Sequence, residues 1–155
     1  MFIYDILPQG GEEEMMMKKL LNYASMYAAL GLGLGVFYRE FTKMNGFTSP
    51  TTLGFLHVHT LVLGMLVFLL LIIFDKLFQI TTSKHYKKFM IFYNTGLLSM
   101  LVMLIVRGVS QVCKIEMSTG MNYAISGMSG IAHIIFTIGI VFMFLMMKEK
   151  LQNEK

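Results

Sequence analysis

The chain has 155 residues, of which 55% are hydrophobic and only 14% charged, with a formal net charge of +4. Soluble domains average about 25% charged residues, so this composition excludes a cytosolic globule. The single cysteine, Cys113, excludes an internal disulfide and any multi-cysteine metal cluster.

Residues 1–16 differ from the rest of the chain and read as a disordered or non-native extension. They lack the basic head and apolar core of a signal peptide. Gly10-Gly11-Glu12-Glu13-Glu14 precedes Met15-Met16-Met17, and purine-rich glycine and glutamate codons fit a translated ribosome-binding element. The expectation is a natural start at Met15, Met16 or Met17. N-terminal sequencing of natively expressed protein tests it, and Met1 at that position would refute it.

Residues 17–155 read as one four-helix membrane domain. Four segments approach or exceed the roughly 20 residues needed to span a bilayer: Leu20–Phe41, Thr52–Phe74, Phe89–Val112 and Tyr123–Met147. With an even number of spans both termini share a side. That side carries Lys18, Lys19, Lys76, Lys84, Lys87, Lys88, Lys148, Lys150 and Lys155, against Arg39, Lys43 and Lys114 opposite. The bias predicts a multi-pass cell-membrane protein with both termini cytoplasmic. It also accounts for the net charge, so no nucleic-acid role is read from it.

Span 1 carries Gly31, Gly33 and Gly35, spaced for close helix packing. Asn45-Gly46 marks a turn, and Ser49-Pro50 a helix start. Span 3 holds Arg107 and Gln111 within an apolar run. His85, in the basic loop after span 2, reads as a solvated surface residue. A weak internal repeat pairs Gly54-Phe-Leu-His57…Gly64 with Gly130-Ile-Ala-His133…Gly139, compatible with two parallel two-helix units. The fold class is therefore all-α, an integral membrane four-helix bundle. The sixteen methionines are scattered rather than clustered as ligands, which sets copper handling aside.

Three of the four histidines, His57, His59 and His133, lie inside apolar spans. Ionisable groups at membrane depth are costly and usually functional, and neutral imidazole is a haem ligand. His57 and His59 are separated by about 200° on a helix, so one regular helix does not offer both to one iron. The small and polar residues around His57 favour it as the inward ligand, whereas depth along the span favours His59. Both stay open. The expected cofactor is b-type haem (iron) held between spans 2 and 4 by His57 or His59 with His133. Arg39 and Arg107, on the same half, would hold the propionates. The bland reading of the same residues is that the histidines bridge helices by hydrogen bonds and Arg107 pairs with Glu40 or Glu116 or snorkels.

Gly35-Val-Phe-Tyr-Arg39-Glu-Phe-Thr, Leu56-His57-Val-His59-Thr-Leu-Val-Leu-Gly64 and Gly130-Ile-Ala-His133 together resemble a family of small bacterial four-helix membrane proteins. That family was long filed as a domain of unknown function and includes the haem-sensing membrane protein HsmA. The resemblance runs from about Met17 to the end and implies haem binding linked to haem and oxidative stress. The Leu-His-x-His stretch also resembles, over a short length, the helix of haem-copper oxidases that bears a low-spin haem ligand.

The leading expectation is thus a haem-binding membrane protein that sequesters haem or passes its electrons to a redox partner or membrane quinone. A redox enzyme and a homo-oligomer are both compatible with it. The competing expectations are a small efflux transporter and an assembly partner of a larger membrane complex. Small exporters of this size depend on a carboxylate in the first span, and span 1 has none before Glu40. No nucleophile–base pair, phosphate loop or catalytic carboxylate pair supports a hydrolase or kinase.

Overall fold

The structure, a computed structural model, describes residues 10–152. Its four long helices are α1 (Gly10–Met44), α2 (Thr52–Phe78), α3 (Tyr86–Val112) and α4 (Thr119–Gln152). Each is long and apolar enough to cross a membrane. No strand occurs among the described residues. α1 begins at Gly10, so its first turns already occupy part of the stretch read as an extension; residues 1–9 lie outside the described residues.

Local chemistry sets the helix ends. Asn45-Gly46 closes α1, with Gly46 at φ 58°, a left-handed conformation that glycine adopts without steric cost. Thr51, not Ser49, caps α2, its hydroxyl accepting from the Leu53 N–H. α2 ends at left-handed Gln79. Asp75 then holds the exit turn by accepting from the Thr81 N–H at 2.9 Å and the Thr81 hydroxyl at 2.8 Å.

α2 is not uniform. A 3₁₀ turn (Thr52–Phe55) leads into one α-helical turn (Leu56–His59), a π-helical stretch (Thr60–Leu66) and regular helix (Val67–Phe78). Wide π turns often mark functional places in a helix. Here the stretch begins directly after His59, and its Leu63 carbonyl accepts from the Tyr93 hydroxyl of α3 at 2.7 Å.

Packing runs α1 on α2, α2 on α3 and α3 on α4, the last pair meeting along most of its length. The core is aromatic. Tyr27 of α1 stacks on Phe68 of α2, Phe68 meets Tyr93 of α3 edge-on, and Tyr93 tilts against Phe136 of α4. Tyr27 also donates to Asn94 Oδ1 at 2.6 Å. Glycines admit this closeness. A Cβ on Gly96 would lie 2.4 Å from the Phe136 nitrogen, and one on Gly139 2.6 Å from Tyr93 backbone atoms. The two hairpins share one detail that matches the expected repeat: Gly64 lies under Tyr27 as Gly139 lies under Tyr93. Gly54 and Gly130 do not correspond in this way, since Gly54 meets Tyr38 and Gly130 has nothing near.

One end of the bundle gathers the start of α1, the 79–85 loop and the end of α4. Gln79 donates to Glu13, Ser83 donates to Glu149, and Lys150 reaches the Thr82 hydroxyl. This is the termini end; the loops 45–51 and 113–118 form the opposite end. His85 is at the termini end but is not the solvated residue its basic loop implied. Its ring stacks on Phe142 and lies 3.8 Å from Glu149, and its Nδ1 is enclosed and unpaired. Phe142 draws it in by offering a flat apolar face beside a carboxylate.

Candidate functional site

α3 carries a polar stripe near the opposite end. Leu104, Arg107 and Gln111 stand at i, i+3 and i+7, which places them on one face of a helix. Both flanking helices reach this stripe. From α2, Thr52 donates its hydroxyl to the Leu104 carbonyl at 3.0 Å and its N–H to Gln111 Oε1 at 2.9 Å, and the Thr51 hydroxyl reaches Gln111 Oε1 at 2.9 Å. From α4, Ser126 accepts from Arg107 Nη2 at 2.8 Å.

The intramembrane histidines are measured from those contacts. His59 is seven residues beyond Thr52, and His133 is seven beyond Ser126. On α4 seven residues are nearly two turns, so His133 shares a stripe with Ser126 and lies about 10 Å deeper. On α2 the 3₁₀ turn over Thr52–Phe55 changes the rotation but carries His59 a similar distance beyond Thr52, so His59 and His133 stand at matching depth on the two helices that border one stripe of α3. At the termini end these helices touch through Val67–Phe78 of α2; the short segment Leu56–His59 packs instead on α1 and α3. α2 and α4 both pack on α3, and the groove over α3 between them is the α2–α4 cleft.

The two rings share a local geometry. His59 Nδ1 lies 2.9 Å from the Phe55 carbonyl oxygen, and His133 Nδ1 lies 2.8 Å from that of Ser129. A carbonyl only accepts, so each Nδ1 carries the proton and donates. In the neutral form of such a ring Nε2 keeps its lone pair. Metal-bound histidines are commonly oriented by such a bond from the second ring nitrogen. Phe55 also meets the His59 ring edge-on. His133 is exposed and His59 half-buried, so both nitrogens are approachable.

His57 stands apart. It is half-buried and faces α1, where its Cβ lies 3.6 Å from the place a Gly35 Cβ would take. Its Nδ1 is enclosed and has no partner. The small residues around it are inward, as the sequence implied, but inward there means the α1–α2 contact and not the side facing α4. His59, about 200° round the helix from His57, faces away from α1. Arg39 is not brought to the cleft either. It projects from α1 with its side chain 80% exposed, 3.6 Å from Glu40. Arg107 is the arginine that bonds across to α4, and beside it a polar cavity of about 170 Å³ between α3 and α4 is lined by Arg107, Gln111 and Asn122.

Among the described residues no three His, Cys, Asp or Glu side chains gather as a metal site. Haem does not require one. The porphyrin fills four positions on iron, and the protein supplies only axial ligands. Two imidazoles with Nδ1 already bonded, and a guanidinium nearer the helix ends, are donor types that suit the group.

Sequence reasoning passed over Thr52 and Ser126. Their signal was present as hydroxyl residues seven before a histidine.

The chain belongs to the family described as "Protein of unknown function (DUF2871)", whose model matches residues 17–150. No curated protein and no solved structure matches the chain.

Proposed function

We propose that this family member is a haem-binding integral membrane protein, with b-type haem seated in the α2–α4 cleft and used for haem sequestration or electron transfer. His59 and His133 would be the axial ligands, and Arg107 would hold a propionate. One observation carries the reading: two histidines at matching depth, each with Nδ1 tied to the carbonyl four residues back, flank the stripe that bears the cleft's arginine. The resemblance to the family of the haem-sensing membrane protein HsmA points the same way.

The residues divide the work by chemistry. The Phe55 and Ser129 carbonyls fix the ring tautomer and hold each Nε2 toward the cleft. Arg107 offers planar paired donors that match a carboxylate. Phe55, edge-on to the His59 ring, would help exclude water from an apolar macrocycle. When bound, haem supplies a one-electron redox centre. His59 and His133 would together hold the iron, an arrangement suited to storage or electron transfer. The basic termini end faces the cytoplasm by the positive-inside bias, which sets the cleft in the outer leaflet half.

Haem titration of the detergent-purified protein tests the reading. Wild type gains a Soret band that saturates with added haem, and His133→Ala gains none or a much weaker one. A wild-type protein that stays featureless after reconstitution would sink the proposal and return the histidines to helix bridging.

A further inference from the structure

We propose that the termini end carries a binding site for an anionic phospholipid, in a cavity between the start of α1 and the start of α3. The cavity is about 810 Å³ and open to the surface. Its rim holds three ammonium groups, Lys19 from α1 and Lys84 and Lys87 from the 79–85 loop and α3. Among the described residues none of the three has a carboxylate within 4.0 Å. Tyr23 and Tyr86 add hydroxyls to the same wall, while the Thr81 hydroxyl is committed to Asp75 at 2.8 Å. Below them Met90 and Ile91 continue the wall into the apolar part of α3, and Ile91 is 64% exposed.

This layering matches one ligand class. A phosphodiester headgroup is an anion with acceptor oxygens only along its phosphate, suited to lysines and hydroxyl donors. Its acyl chains need an apolar track directly beneath, which Met90 and Ile91 provide. Basic pockets between membrane helices at the headgroup level are recognised places for anionic lipids. A neighbouring cavity of about 600 Å³ meets this one at Met16, Thr81 and Thr82, and is bordered by Glu12 and Glu13. Those carboxylates repel an anion and confine it to the lysine side. Ser83, on the rim, is already committed to Glu149 at 2.7 Å and is not counted as a donor.

Native mass spectrometry of the full chain in detergent tests the site, with phosphatidylglycerol and phosphatidylcholine titrated separately. Wild type holds one phosphatidylglycerol more tightly than phosphatidylcholine. Each lysine near an anionic lipid is worth about fivefold, so Lys84→Gln with Lys87→Gln should weaken that adduct by about 30-fold. A control with the same charge loss elsewhere at this end, Lys76→Gln with Lys148→Gln, should leave it unchanged. Should the first double variant fail to fold, Lys19→Gln alone carries the test with about a fivefold loss. Equal losses in the two double variants, no loss in either, or equal binding of the two lipids overturns the proposal. So does displacement of the adduct by millimolar inorganic phosphate, which would make the site one for a free anion.

Discussion

Replacing Gly96 by alanine strikes the contact that sets α4 against α3. A Cβ at this position would fall 2.4 Å from the Phe136 nitrogen and 2.5 Å from its Cα. Ordinary contact begins near 3.4 Å, so the helices must part locally by about 1 Å, and the obstacle is backbone that no rotamer change removes. Overpacking of this kind costs about 1–3 kcal/mol, a factor of roughly 5 to 150 in the unfolding equilibrium. Gly33→Ala is the matched control, because nothing lies within 4 Å of a Cβ there. Thermal and SDS-titration unfolding in the same detergent would compare the two. Gly96→Ala should unfold earlier while Gly33→Ala tracks wild type. Equal stability of both would refute the packing of α3 on α4, and with it the placement of His133.

Other consequences rest on single contacts. Tyr93→Phe removes the donor to the Leu63 carbonyl inside the π stretch, and should cost about 1–3 kcal/mol for the acceptor left behind, read in the same unfolding assay. Arg107→Ala should speed haem loss to an apo-globin acceptor by about tenfold or more, the worth of one charged hydrogen bond. It should still leave the Soret position intact, since it removes an anchor and no ligand. His85→Ala should leave haem binding unchanged, because His85 sits with Phe142 and Glu149 at the other end; stripped haem in that variant would contradict the placement of the cleft.

The helices were legible because membrane spans write themselves in length and hydropathy. The expected Thr52–Phe74 and Phe89–Val112 fall within the observed Thr52–Phe78 and Tyr86–Val112. The overruns are polar-tipped turns, such as Asp75-Lys76 and Tyr86-Lys87, that a hydropathy reading trims. The site was legible only in part. His57 and His59 differ by about 200° on their helix, and sequence shows that they diverge without showing which neighbour stands on which side. Small residues near His57 signalled an interior, but α1 occupies it. The answer depends on Gly35 and Gly54 lying in the contact between α1 and α2, which is a tertiary fact. Arg39 and Arg107 likewise looked alike by depth, and only helix order separates the arginine facing Ser126 from the one beside Glu40. His85 was misread because a basic loop predicts solvent, and the Phe142 ring that covers it arrives from a distant helix.

The most direct test is the dithionite-reduced absorption spectrum of haem-loaded protein, taken for wild type, His59→Ala, His57→Ala and His133→Ala side by side. Wild type and His57→Ala should show the sharp α and β bands of low-spin haem, while His59→Ala and His133→Ala lose them. Sharp bands that survive in His59→Ala and vanish in His57→Ala would contradict the assignment of the cleft between α2 and α4.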